Sequence, residues 1–239
     1  MRKHLTVVAL AVLALTAMAQ QAQAPVAITA EPHHHLVVDN KYVRAFAFSV
    51  NPGDTTLMHK HEHDYLGIFI GDSTGTNTKE GGQPTPATFK DGDVKFAAAG
   101  VVHAVAGTGS APVRNATIEL LQPTTNPKAC TESCAVSIPC DSADKSKCAT
   151  GNKAFSSDQW TVTIFTLPVG SKYAEHTHAG PYLTVELADS DVTMNVKGKS
   201  SKAHSKAGDI KWHEPETHSV TNTGKTPAKV AVLEFSPSK

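Results

Sequence analysis

A nine-residue segment that contains a His-x-His pair occurs twice in this chain. The first copy runs from Gly53 to His61, and the second runs from Gly170 to His178. In each copy a glycine is followed by five residues, a histidine, one further residue and a second histidine. Two histidines separated by one residue on a β-strand point to the same face, so both imidazoles can bind one metal ion. The pattern therefore predicts a metal site at each copy.

The two copies belong to a longer internal repeat. Three motif residues recur 117 positions later: His59, His61 and Tyr65 return as His176, His178 and Tyr182. A later histidine, His103, returns as His218 with an offset of 115. An offset that changes by two residues over the whole repeat indicates a duplicated domain rather than coincidence. We therefore predict two three-histidine metal sites, formed by His59, His61 and His103 and by His176, His178 and His218.

The segments around these motifs carry strand and turn signals. Residues 42–50 and 113–121 are rich in the β-branched and aromatic residues that strands favour, and turn residues recur every eight to twelve positions. Residues 36–121 contain no apolar period typical of a helix. With 239 residues, of which 40% are hydrophobic, the chain can form two small packed domains. We predict an all-β fold.

The first residues have the features of a secretory signal peptide. A basic start is followed by an apolar run from Leu5 to Ala19, which is too short to span a bilayer and ends in small residues. We predict cleavage after residue 19, with a second candidate cut after residue 24. The mature protein is then exported, to the periplasm or out of the cell, without a membrane anchor. An uncleaved anchor helix is the alternative.

All four cysteines lie within nineteen residues, at Cys130, Cys134, Cys140 and Cys148. An exported protein meets an oxidising compartment, so we expect two disulfides, and the sequence leaves their pairing open. A zinc site is the alternative, although the spacings lack the close C-x-x-C pairs of zinc knuckles. We interpret residues 124–153 as a Cys-rich linker between an N-terminal domain of residues 25–123 and a C-terminal domain of residues 154–239.

These motifs resemble those of the cupin superfamily. The first cupin motif is a glycine, five residues, His-x-His, a glutamate and a later glycine, and the second is a Gly-Asp hairpin followed by a histidine. Gly92-Asp93 and Gly208-Asp209 supply the hairpins here. The resemblance covers residues 40–121 and 157–236. It implies a bicupin with cupin-2-like motifs: two tandem cupin (double-stranded β-helix, or jelly-roll) barrels, each with a central metal pocket.

Both halves depart from the cupin pattern at the glutamate that usually supplies the fourth protein ligand. Asp64 or Tyr65 stands at its position in the first half, and Pro181 or Tyr182 in the second. Asp64 is therefore an additional candidate ligand in the first half. Tyr65 and Tyr182 are candidates for catalytic acid/base groups, or else they pack in the barrel wall.

Three neutral imidazoles leave coordination positions open to water or substrate. Zinc, iron, copper and manganese ions all accept such a site, but the missing carboxylate weakens the case for manganese and for oxalate-type chemistry. The resemblance thus implies dioxygenase-like or Lewis-acid chemistry on a small organic molecule. The alternatives are a non-catalytic metal- or sugar-binding module and a duplication that serves assembly only.

Other residues near the motifs are given lesser roles. We expect solvated side chains of an entry strand at His33, His34 and His35, and a role as metal ligands is the alternative. Supporting or solvent-facing side chains are expected at His63, Glu175 and His213, and a solvent-facing one at His204. The sequence leaves open which way Glu186 faces. Barrel core or the mouth of a pocket is expected for Met58, Phe96 and Trp212.

The charge balance argues against some classes of partner. The formal net charge is +0 at pH 7, so nothing indicates nucleic acid or a charged membrane surface. A small-molecule ligand or substrate is the expected partner, and a homo-oligomer is left open.

Overall fold

A computed structural model describes residues 24–140 and 142–237 of the chain. Over these residues the secondary structure consists of twenty-one β-strands and two short 3-10 helices, which confirms the all-β prediction. No helix in the described part is long and apolar enough to cross a bilayer. The predicted signal peptide lies outside the described residues.

The first half of the chain contains ten strands and one 3-10 helix. In chain order they are β1 (Val26–Ala27), the helix (Ile28–Ala30), β2 (His34–Asp39), β3 (Val43–Val50), β4 (His59–Lys60), β5 (Tyr65–Phe69), β6 (Ser73–Lys79), β7 (Thr85–Phe89), β8 (Val94–Ala97), β9 (Val102–Gly107) and β10 (Val113–Leu120).

The second half contains eleven strands and the other 3-10 helix. They are β11 (Lys128–Ala129), β12 (Ala135–Val136), the helix (Lys145–Lys147), β13 (Thr150–Ser156), β14 (Trp160–Leu167), β15 (Lys172–His178), β16 (Tyr182–Glu186), β17 (Ser190–Val196), β18 (Lys199–Ser205), β19 (Ile210–His213), β20 (Glu216–Asn222) and β21 (Ala228–Phe235).

Each half forms a barrel from two sheets. The first half has one sheet in the order β2-β3-β10-β5-β8 and another in the order β1-β4-β9-β6-β7. The second half has a sheet ordered β11-β13-β14-β21-β16-β19, with β12 also paired to β13, and a sheet ordered β15-β20-β17-β18. Apart from the added strands at the edges, the two halves have the same topology, which confirms two tandem barrels.

The two barrels share one apolar core. Its residues with no exposed surface include Leu66 and Ile118 from the first half and Val162, Leu183 and Leu233 from the second. These side chains lie on the outer faces of the sheet that contains β5 and β10 in the first barrel and of the sheet that contains β14, β16 and β21 in the second, where the barrels meet. Burial of this surface is the main stabilising contribution that holds the two barrels together.

Aromatic residues near the motifs lie at this contact. Trp212 stacks on Tyr42 of the first barrel with ring centroids 5.4 Å apart. Phe96 in turn stacks on Phe155 of the second barrel at 5.9 Å. Both residues therefore pack against the core that the barrels share. Met58 is half-buried beside the first His-x-His segment.

Two reciprocal polar contacts also join the barrels. The guanidinium of Arg114 donates to the Ala207 carbonyl oxygen at 2.6 Å. The ammonium of Lys229 contacts the Asp91 carboxylate at 2.5 Å and its carbonyl oxygen at 3.1 Å. Arg114 and Lys229 are 115 positions apart, so each barrel extends an equivalent basic side chain into the Gly-Asp hairpin of the other.

Two disulfides close the cysteine-rich segment. Cys130 pairs with Cys134, and Cys140 pairs with Cys148, so the pairing that the sequence left open is sequential and no thiol remains for zinc. The predicted linker ends at residue 153, but β13 already begins at Thr150 and pairs with β14. The end of the linker is thus a strand of the second barrel, equivalent to β2 in the first, and β11 and β12 pair with its other side.

Because the core is shared, we expect the barrels to unfold in one transition. Leu233→Ala should lower the free energy of unfolding by about 2–5 kcal/mol, the usual cost of truncating a fully buried leucine. Urea unfolding, followed by tryptophan fluorescence and by amide exchange in β5 of the first barrel, measures this. Leu36→Ala is the control, because Leu36 is 52% exposed. Separate transitions, with β5 unaffected by Leu233→Ala, would contradict a shared core.

Candidate metal centres

Each His-x-His segment begins at a glycine whose backbone conformation other residues rarely adopt. The angle φ is +86° at Gly53 and +75° at Gly170, in the left-handed region. The resulting turn leads the chain into the barrel wall, where β4 and β15 carry the first histidine of each pair. The backbone turn therefore explains the glycine in the sequence pattern.

Antiparallel pairing brings the distal histidine to each pair. In the first barrel β4 pairs with β9, which sets His59 directly opposite His103. In the second barrel β15 pairs with β20, which sets His176 opposite His218. Opposite residues on paired strands share a face, as do residues two apart on one strand. All three histidines of each barrel therefore face the same interior.

In both barrels the three imidazoles converge. One nitrogen from each ring lies within 4.8 Å of the other two in the first triad, formed by His59, His61 and His103. The same distance holds for the second triad, formed by His176, His178 and His218. Across the described residues no carboxylate oxygen joins either triad.

Hydrogen bonds orient the rings of the first triad. The Nδ1 of His59 donates to the Leu57 carbonyl oxygen at 2.9 Å, and that of His103 donates to Asn77 Oδ1 at 2.8 Å. Both rings therefore carry their proton on Nδ1 and keep a lone pair on Nε2. The Nε2 of His59 is buried without a partner, and that of His103 lies 3.2 Å from His61 Nε2. A divalent metal ion fits these converging acceptors.

The second triad is oriented more completely. All three Nδ1 atoms donate to oxygen: His176 to the Ala174 carbonyl at 2.8 Å, His178 to Glu234 at 3.0 Å, and His218 to Glu216 at 2.9 Å. All three Nε2 atoms therefore keep a lone pair that is available to a metal ion. Carboxylates that accept from a ligating histidine raise its basicity and fix its orientation.

Solved structures with a similar architecture include a cupin. A cupin 2 conserved barrel domain protein from Leptotrichia buccalis matches with a TM-score of 0.52 at 12% identity, over 85% of this chain and 88% of that one. AerE from Microcystis aeruginosa matches with 0.55 at 11% identity, over 86% and 98%. This chain has the cupin fold.

A third match is Bacillus subtilis oxalate decarboxylase, in a study of its Mn(II) centres. It has a TM-score of 0.56 at 14% identity, over 84% of this chain and 70% of that one. No protein-family model matches the sequence, and no curated protein is significantly similar to it. The likeness to solved cupins therefore concerns the fold.

Burial keeps the imidazoles in their metal-binding form. Loss of hydration, together with the neighbouring histidines, lowers the pKa of His61 to about 2 and that of His103 to about 3. Burial also lowers the pKa of His59 and of His176 to about 4. Neutral rings compete well for a metal ion, because no proton has to leave first.

Asp64, the additional candidate ligand, does not reach the first triad. Its carboxylate is half-buried and accepts a hydrogen bond from the Ala99 amide at 2.8 Å. This bond ties the loop after the His-x-His segment to the bend before β9. The protein donors of the first cupin site are therefore its three histidines.

Each candidate tyrosine stacks on a histidine of its triad. Tyr65 lies against His61 with centroids 3.8 Å apart, and burial raises the pKa of Tyr65 to about 12. Tyr182 lies between His178, at 4.0 Å, and His213, at 4.5 Å. Each tyrosine ring thus packs face to face against a histidine of its triad and helps to fix the orientation of that imidazole.

The hydroxyl of Tyr182 is also engaged. It donates to Glu216 at 2.6 Å, and the same carboxylate oxygen accepts from His218. Burial is the main reason that the pKa of Tyr182 is raised, and the Glu216 carboxylate raises it as well. Sequence reasoning missed Glu216, and its position two residues before the distal histidine was the available signal.

The expectation that His34 is solvated was wrong. His34 is only 8% exposed, and its ring centroid lies 4.8 Å from that of His59. Its Nδ1 donates at 2.7 Å to Glu31, which is itself 1% exposed. His33 is partly buried and also bonds Glu31, while His35 is exposed as expected. The Glu-x-x-His spacing was the overlooked signal.

The remaining side chains near the motifs have supporting or exposed positions. Glu175 and His204 are exposed, and His204 pairs with Asp191 at 2.8 Å. His63 is partly buried. The ring of His213 bonds Thr184 at 3.1 Å in the wall of the second cavity. Burial raises the pKa of Glu186, which lines the same cavity, to about 7.

Each triad opens into a cavity inside its barrel. The first cavity has a volume of about 430 Å³ and the second about 170 Å³. Two replacements at equivalent positions explain part of the difference. Gly67 in the first barrel corresponds to Thr184 in the second, and Ala97 corresponds to His213, so larger side chains fill the second cavity. The first cupin barrel therefore has more room for a ligand.

We expect the metal-free protein to lose stability as pH falls from about 6.5 to about 4. In this range unfolded histidines bind protons, whereas the folded His61 and His103, with pKa values of about 2 and about 3, do not. The unfolded state therefore binds more protons and gains about 1.4 kcal/mol per pH unit for each such group.

Urea unfolding at several pH values measures this dependence. His61→Leu removes a group that binds a proton only in the unfolded state. The slope of the unfolding free energy against pH should therefore fall by the contribution of one proton, about 1.4 kcal/mol per pH unit. Replacement of the exposed His35 by leucine is the matched control and should leave the slope unchanged. An equal slope for His61→Leu and the unsubstituted protein would contradict a buried, neutral His61.

Proposed function

We propose that this chain is an exported bicupin metalloprotein that holds one divalent metal ion in each barrel and acts on a small organic molecule. The observation that carries the proposal is the orientation of the triads. Five of the six histidines commit Nδ1 to an oxygen acceptor and so turn Nε2 toward the centre of a triad. A site that lacks an ion would leave these lone pairs facing one another.

The donor set limits the chemistry. His59, His61 and His103 would hold the ion of the first site without a carboxylate, which favours zinc, iron or copper over manganese. Bound there, such a metal supplies a Lewis acid or an O₂-activating centre. The protein contributes three imidazoles, open coordination positions and a cavity next to them.

The first cavity is the better place for a substrate. It is the larger of the two, and amide and hydroxyl side chains of Asn77, Asn115 and Thr117 line it. Among the described residues, Lys95 is the one charged residue other than histidine that lines it, which suits a negatively charged group on the ligand. We infer that a small polar molecule binds between the metal and these side chains.

The second barrel favours the alternative function of metal binding without catalysis. Its cavity is small and is lined by Val192, Met194, Val220 and Val230 among other apolar residues. The polar groups around its triad are already paired with one another, including the hydroxyl of Tyr182. This site is suited to hold an ion rather than to process a ligand.

Export is proposed from two features of the chain. The N-terminal sequence has the pattern of a signal peptide. The chain also has two disulfides, and disulfides form and persist in oxidising compartments. Reduction in the cytoplasm would leave four thiols in a segment that has few large apolar residues.

We expect protein purified without a tag and loaded with Zn²⁺ to contain two metal ions per chain. His61→Ala and His178→Ala should each remove one, because each deletes a donor from one triad. Elemental analysis measures the content, and His204→Ala, which alters an exposed histidine, is the control. Absence of any bound metal after refolding with Zn²⁺, Fe²⁺ or Mn²⁺ would overturn the proposed function.

Turnover separates an enzyme from a binding module. We expect metal-loaded protein, tested aerobically on a panel of small carboxylic acids, diketones and catechols, to convert at least one compound. His61→Ala should abolish this activity and His178→Ala should retain most of it, because the first cavity holds the substrate. Full metal content without turnover of any compound would favour the non-catalytic alternative.

A further inference from the structure

We propose that His34, oriented by Glu31, is a ligand-binding residue of the first cupin site. In this proposal its Nε2 accepts a hydrogen bond from an N–H or O–H group of a small molecule bound at the triad. The proposal deepens the function inferred above and rests on it, because it requires a metal at His59, His61 and His103.

His34 has the right place for this contact. It lies on β2 and lines the same cavity as the first triad, between Phe48, whose ring centroid is 4.5 Å away, and His59, at 4.8 Å. Its nitrogens are outside the group of ligand atoms that lie within 4.8 Å of one another. His34 is thus beside the coordination sphere and not part of it.

Glu31 determines which nitrogen of His34 is available. An ionised carboxylate only accepts hydrogen bonds, so the contact between Glu31 Oε2 and His34 Nδ1 places a proton on Nδ1. Nε2 is then the acceptor left for a ligand. Glu31 also accepts from the backbone amides of His33, at 2.9 Å, and Leu57, at 3.3 Å. These donors fix the carboxylate and, through it, the ring.

The burial of this pair is costly and local to one barrel. A buried carboxylate is retained only where hydrogen bonds compensate its desolvation. In the second barrel the position equivalent to His34 is Gly151, since His34 pairs with Phe48 and Gly151 with Phe165, 117 residues later. A Cβ atom at Gly151 would lie 2.8 Å from the Phe165 ring. A side chain at this position of the second barrel would therefore force the Phe165 ring to shift.

This placement defines a chemical class of ligand. A metal ion held by the triad would bind an anionic oxygen of the ligand. Nε2 of His34 would accept a hydrogen bond from an N–H or O–H group on a neighbouring atom of the same molecule. Hydroxamates and α-hydroxy acids have both groups. Lys95, in the wall of the same cavity, favours a net negative charge. A ligand without the proton donor would gain nothing from His34.

The test uses the full chain with His176→Ala and His178→Ala, so that only the first site binds metal. This parent is loaded with Co²⁺ and titrated with acetohydroxamate, which carries an N–H donor, and with azide, which carries none. Visible absorption of the cobalt reports binding. His34→Leu should keep one Co²⁺, weaken acetohydroxamate binding about tenfold, and change azide binding less than about twofold.

Three further variants keep the test informative. His35→Leu, on the same strand but exposed, should match the parent for both probes. His34→Gln, whose amide oxygen can accept, should recover part of the acetohydroxamate affinity, and it replaces His34→Leu if that variant does not fold. Glu31→Gln should weaken acetohydroxamate binding by a smaller factor, because the ring loses its charged anchor.

The outcomes separate this inference from the proposed function. If the parent binds no Co²⁺, the metal site itself fails and the inference fails with it. If the parent binds Co²⁺ but His34→Leu loses it, His34 serves the metal and the inference is overturned. Equal effects of His34→Leu on acetohydroxamate and azide, or no effect on either, overturn it as well.

Discussion

Both histidine triads depend on the register of one pair of strands in each barrel. His59 lies opposite His103, and His176 lies opposite His218. A slip of one residue would turn one member of each pair to the outside of the barrel, because side chains alternate between the faces of a strand. The barrels fix this register through their buried faces, so the packing of the core also determines the assembly of the triads.

The surroundings of the triads show how the duplicated barrels have diverged. In the second barrel Glu234 bonds His178, whereas its counterpart Glu119 is fully buried and its Oε1 has no partner. His61, the counterpart of His178, likewise has an unpartnered Nδ1. Unpaired buried polar groups cost stability. The first barrel therefore keeps an adaptable polar environment where the second has a closed network.

The sequence predicted the parts of this protein that depend on spacing. The period of the strands and the offset of the repeat were enough for the all-β barrels and for the histidines that converge. The sequence did not predict contacts between residues that are far apart along the chain. His34 was assigned to solvent because three consecutive histidines look polar, and only the fold reveals that Glu31 compensates its burial. The sequence also did not predict the disulfide pairing or the contacts that Arg114 and Lys229 make between the barrels.

The two barrels have the same topology but cavities of different size, which argues that they have different roles. The second barrel has the more complete support for its triad but little space, because Thr184 and His213 fill positions that are Gly67 and Ala97 in the first. The first barrel has the space and a further histidine, at a small cost in unpaired polar atoms. Since the barrels share one core, the well-satisfied second barrel can stabilise the first. This coupling allows the first site to keep the polar, open cavity that a ligand requires.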